Sequence, residues 1–136
     1  MKKEIESLKN FISLKKMNEN ELKKFDWKNP PTYRLSRKKE VQKNYDNTIG
    51  TQKHYDFIEK IKQKLEQEHI VFEPNEYPYD VRPMIKHSCL WYKGDLTPDD
   101  VINYLISKNI YYITFFENDM KNRSIKTIRH YHIFHY

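Results

Sequence analysis

A chain of 136 residues, 38% hydrophobic and 15% aromatic, is the size of one domain around one core, and its large rings bury too much area for disorder. Its net charge of +6 comes wholly from residues 1–70, with 17 Lys/Arg against 11 Asp/Glu, while residues 71–136 balance 8 against 8. No apolar run approaches the roughly 20 residues that cross a bilayer, and the opening MKKEIESLKN lacks the apolar stretch of a secretion signal. The lone Cys89 leaves no internal disulfide, so the expected compartment is the cytoplasm, with the nucleus left open.

In chain order, Ile5, Leu8, Phe11, Ile12 and Leu14 fall near helical spacing and predict an amphipathic helix over 3–16. A short turn from Asn20 towards Trp27 ends at Pro30-Pro31, which force extended backbone. Ser36 is placed to cap a helix from Arg37 towards Asn47. Gly50-Thr51 reads as a stop and restart before a helix to about Gln67, marked by Tyr55, Ile58, Ile61 and Leu65. Val71-Phe72 then leads into a segment punctuated by Pro74, Pro78 and Pro83, read as an ordered loop packed across the sheet by Tyr77 and Tyr79. His87 to Tyr92 predicts a strand. Thr97-Pro98-Asp99-Asp100 starts a helix with a buried face of Val101, Ile102, Leu105 and Ile106. Tyr111–Phe116 and Ile128–Tyr136 read as an antiparallel pair joined by the polar connection Glu117–Thr127. The expected fold is α+β: a helical first half packed on a small, mainly antiparallel sheet in strand-helix-strand-strand order.

Two glycines cannot build a P-loop or a dinucleotide fingerprint, and no G-x-S-x-G, H-E-x-x-H or C-x-x-C is present. Chemistry must therefore rest on histidine. Strand alternation puts His87, Cys89 and Trp91 on one face, and His130, His132 and Phe134 on one face. If the two strands neighbour each other, the three imidazoles converge beside Trp91 and Asn118 and can exchange protons near neutral pH. Arg82, Arg123 and Arg129 are the candidate partners of an oxyanion or phosphate. The histidine spacing matches no established metal-ligand pattern, so neither metal nor other cofactor is expected. Cys89 reads as a small buried residue, and His54, His69 and His135 carry no expected site role.

The series Pro74-Asn75-Glu76-Tyr77-Pro78-Tyr79, His87 with Trp91, Asn118, Ser124 and His130-Tyr131-His132 resembles the fungal N-acetylglucosamine-induced protein family, whose domain has no settled activity. The resemblance spans residues 72–135, with an echo in Leu35, Arg37 and Tyr45, and Ser88 departs from the bulkier residue expected after His87. It implies a link to amino-sugar metabolism and one site made of Asn75, Tyr77, Pro78, His87, Trp91, Asn118, His130 and His132. The leading expectation is a small-molecule site for a phosphorylated sugar, nucleotide or nucleotide sugar. In it His87, His130 and His132 would be catalytic, with Asn75, Tyr77, Pro78, Trp91, Asn118 and Arg129 binding the ligand. The competing expectation is a non-catalytic module that binds RNA or protein through the basic helical half. The aromatics Trp91, Tyr92, Tyr111, Tyr112, Phe115 and Phe116 could be offered as a base-stacking platform, but most read as core, and the balanced charge of this half counts against phosphate binding there. An adaptor with neither property is the third reading, and oligomeric state is left open.

Overall fold

The computed structural model describes residues 16–33, 35–118 and 128–136. The helix expected over 3–16, Arg123, Ser124 and most of the connection after Glu117 lie outside the described residues. Helix α1 (Glu19–Leu22) is held by a capping box: Asn18 Oδ1 accepts from the Glu21 N–H at 2.9 Å, and the Glu21 carboxylate accepts from the Asn18 N–H at 3.4 Å. Leu22, fully buried, anchors it. Helix α2 (Lys39–Thr48) begins later than Ser36 suggested, with Lys38 at its N-cap and no side-chain cap. Ser36 instead gives its carbonyl to the Asp80 N–H at 2.8 Å, tying this segment to the proline-punctuated loop.

Gly50, at φ +83°, makes the left-handed break that separates α2 from α3 (Gln52–Glu68). The 54, 58, 61, 65 spacing puts His54, Ile58, Ile61 and Leu65 on the buried side of α3. His69 closes the helix in the left-handed region and sends the chain directly into β1 (Ile70–Pro74). This strand adds a member to the expected sheet. It was hidden by Pro74, which an edge strand tolerates at its end because that N–H need not join a ladder. The rest of the loop does pack across the sheet, with Tyr79 buried and Val81 bridging Met17.

Strand β2 (Lys86–Tyr92) is buried from His87 onward. Helix α4 (Pro98–Ser107) starts at a second capping box. In it Thr97 Oγ1 accepts from the Asp100 N–H at 3.2 Å, and Asp100 Oδ2 accepts from the Thr97 N–H at 3.0 Å. Thr97→Ala is expected to lower stability by about 1 kcal/mol in urea denaturation, and no loss would mean the box contributes nothing in solution. β3 (Tyr112–Phe116) and β4 (Arg129–His135) complete an antiparallel sheet of order β1-β2-β4-β3.

The sheet has a layer on each face. On one, Val101 and Leu105 of α4 pack on Leu90, Tyr92, Phe115, Tyr131 and Ile133. On the other, Ile58, Ile61 and Leu65 of α3 meet Val71, Cys89 and Trp91. Beside them Leu22 and Leu35 cover Tyr79, Phe116 and Phe134. This is the α+β arrangement, with its helices mostly in the first half. No helix among the described residues is long and apolar enough to cross a membrane.

Candidate functional site

Strands β2 and β4 are direct neighbours, in a register that sets Trp91 opposite His130, Cys89 opposite His132 and His87 opposite Phe134. Alternation then turns all six side chains to the α3 side of the sheet. The three histidines expected to converge do so. His130 lies against Trp91 with ring centroids 4.2 Å apart, and His87 Nε2 is 2.8 Å from His132 Nδ1.

The protons of this pair follow from one fixed donor. The Tyr79 backbone N–H donates to His87 Nδ1 at 3.0 Å, so a neutral His87 carries its hydrogen on Nε2 and donates it to His132 Nδ1. A neutral His132 is then protonated on Nε2, 3.0 Å from the Asn118 amide. An Asn118 Nδ2 in that place would face another donor. Turning the amide over puts Oδ1 there, able to accept from both His132 Nε2–H and, at 3.2 Å, Tyr79 Oη–H. The result is a ladder from the Tyr79 N–H through His87 and His132 to Asn118. Asn75 stands beside it, its Oδ1 accepting from the Tyr77 N–H at 2.8 Å and its Nδ2 reaching Cys89 Sγ at 3.3 Å. The 3.4 Å approach of the same Nδ2 to His87 Nε2 brings two donors together and is a contact, not a bond.

Burial, first of all, holds both imidazoles neutral. His87 and His132 titrate well below the ordinary histidine range, with the positive charge of Arg37 and the neighbouring His130 adding to the effect on each. Burial also pushes the Cys89 thiol up to about 12.

Above the ladder opens a cleft of about 870 Å³, open mouth included, between the sheet, the loop and the α2–α3 pair. Asn75, Tyr77, Trp91, Asn118, His130 and His132 line it, as does Cys89. His87 stands behind His132, and Pro78 is not among the lining residues. Arg129 lies outside the cleft, where it grips Glu117 in a two-point pair at 2.7 and 3.2 Å. Its odd position in β4 turns it away from His130 and His132. Tyr92 and Phe115 are core, whereas Tyr111 is exposed.

Residues absent from the expected site complete the walls: Arg37 from the segment before α2, and the helical Tyr45, Lys53, His54 and Phe57. Arg37 is buried, donates from Nε to the Tyr77 carbonyl at 2.7 Å, and lies over the rings of Tyr45 and Tyr79 at 4.0 and 5.0 Å. Its charge is permanent and its place fixed. Glu76 is the one acid among the described lining residues.

Cys89, His130 and His132 bring one potential ligand atom each within 4.8 Å of one another, donor types that suit zinc. The ladder competes with that use. Both His132 nitrogens are committed, and the thiol holds its proton, so a metal would have to break a hydrogen bond and expel a proton from the same buried spot.

A profile of the family described as "Protein of unknown function (DUF3605)" matches residues 4–109. The chain belongs to that family. The DUF3605 match takes in Arg37, Lys53, His54, Asn75, His87 and Trp91 and stops before β3, so Asn118, His130 and His132 lie beyond it. No curated protein shows a significant match to this DUF3605 chain, and no solved structure does.

Proposed function

We propose that this protein binds an anionic small molecule with a flat apolar face, such as a phosphorylated sugar, a nucleotide or a nucleotide sugar, in the cleft above the histidine ladder. The observation that carries this reading is the lining. Aromatic rings with Asn75 and Asn118 form a surface for a sugar or base, and Arg37, Lys53 and His54 face a single acid. The half-buried rings of Tyr77 and His130, the latter backed by Trp91, would hold the face of the ligand, and charge-assisted bonds its anionic group. His130, in the cleft on Trp91, is the proton-exchanging group. His132, backed by His87, is a positioning residue whose fixed Nε2–H sets the Asn118 amide. The motif resemblance to the fungal N-acetylglucosamine-induced family favours amino-sugar phosphates among these ligands. Metabolites of this kind suit a cytoplasmic or nuclear protein.

The test is a thermal-shift series with glucosamine 6-phosphate, glucose 6-phosphate, UDP-sugars and AMP, beside the unphosphorylated sugars and nucleosides. A ligand at about 100 times its Kd stabilises by about 2.7 kcal/mol, a shift of several degrees. It is expected for a phosphorylated compound and reduced by His130→Gln. A shift untouched by that substitution would move binding away from this cleft, and no shift with any compound would overturn the reading.

A further inference from the structure

Helix N-termini leave backbone N–H groups without intrahelical partners and carry a partial positive charge, which most helices offset with a capping side chain and acids. Helices α1 and α4 do so through Asn18 with Glu21 and Thr97 with Asp100. Helix α3 does the opposite. Its N-cap Thr51 accepts nothing from the first turn; its Oγ1 is turned backward, where it donates to the Thr48 carbonyl at 2.5 Å. No acid stands in that turn, and Lys53 and His54 add basic groups to the positive end.

A second observation points to a ligand at the same place. His54 is 9% exposed, lines the cleft, and makes no hydrogen bond among the described residues. Its one ring contact is edge-on to Tyr55 at 5.6 Å. Its nitrogens are not among the fully buried unpaired atoms, so the otherwise buried ring opens its polar edge to the cleft, where a ligand can take the place of water. Lys53 lines the same cleft with its side chain in solvent.

We propose that the first turn of α3, with Lys53 and His54, is an anion subsite that takes the phosphate group of the cleft ligand. A tetrahedral phosphate accepts at once from first-turn N–H groups, an ammonium and an imidazole N–H, the combination this turn offers. The organic part of the ester then lies towards Trp91 and His130, so this assignment deepens the small-molecule reading and rests on it for that half of the ligand.

The subsite is tested by amide NMR of the full chain titrated with inorganic phosphate at constant ionic strength. Saturable shifts are expected at Gln52, Lys53 and His54. Affinity should fall about tenfold in His54→Gln with Lys53→Gln and stay unchanged in Lys60→Gln with Lys62→Gln on the same helix. Lys53→Gln alone, a change at an exposed position, should weaken binding measurably if the buried substitution perturbs the fold. Absence of shifts in this turn, or shifts indifferent to both Lys53→Gln and His54→Gln, would overturn the assignment. The two readings fail separately. Phosphate binding here with no response to any sugar phosphate or nucleotide removes the organic half, whereas ligand binding that depends on His130 but not on Lys53 or His54 removes the anion subsite alone.

Discussion

His132→Ala is expected to lower the stability of the fold by about 3–5 kcal/mol, the largest effect of any single substitution in the cleft. The side chain is 4% exposed, and its ring lies against Tyr79 and Phe116 at 5.4 and 5.8 Å. Truncation opens a cavity there. It also strands the buried His87 Nε2–H, at a cost of about 1–3 kcal/mol, and leaves Asn118 Oδ1 with one fewer donor, Tyr79 remaining. Total stabilities of about 5–15 kcal/mol make this a large fraction, readable as a lower urea midpoint. Asn118→Ala breaks the same ladder, so the double variant should lose less than the sum of the two. A loss under about 1 kcal/mol for His132→Ala would show that the ladder does not form in solution. A further consequence is practical: ligand binding is better assayed with His130→Gln, since His130 is only half-buried.

Stability should also fall as the solution is acidified below about pH 6.5, the unfolded histidine value. His87 and His132 are held neutral by burial, with folded values well below the ordinary one. Between those two values the unfolded chain binds protons that the folded chain refuses, so unfolding is favoured as pH drops. Stability from this source is complete above pH 6.5 and is lost as pH falls towards the folded values. Each histidine gives a slope of about 1.4 kcal/mol per pH unit once the unfolded form is protonated. His135, shifted in the same direction mainly by burial, adds to the trend. Urea midpoints at pH 7.5, 6.5 and 5.5 measure it, and His132→Ala should flatten the profile by one proton. A wild-type midpoint constant over that range would mean that the buried pair accepts protons without unfolding.

The pattern of the chain reveals some of this arrangement and conceals the rest for identifiable reasons. Alternation along β2 and β4 shows which histidines share a face, because period 2 is local. Whether the strands adjoin depends on long-range pairing, on which no residue spacing reports. The α4 start is legible since Thr97 and Asp100 satisfy each other within one turn. The Ser36 start is not, because that segment's carbonyl is taken by Asp80, a partner 44 positions away. Strand β1 is disguised by Pro74. In the site, Tyr45 and Lys53 reach the cleft through the α2–α3 turn, and Arg37 through its bond to the distant Tyr77 carbonyl, and none leaves a local signature. His54 does leave one, since it shares the helical stripe of Ile58, Ile61 and Leu65. Alternation likewise separates Arg129 from His130 before any contact is known.

The sheet order gives the molecule a particular schedule of assembly. Strand β4, the last in sequence, lies inside the sheet between β2 and β3. A ribosome must therefore have released residues through His135 before β2 finds its inner neighbour or His87 its acceptor. Until then the nascent chain can form only helices and the β1–β2 ribbon, with Leu90 and Trp91 uncovered along an unpaired edge. Such an intermediate is a natural client for chaperones and a template for intermolecular strand pairing. Slow or truncated synthesis beyond Phe116 would thus produce aggregation, not a partly working protein.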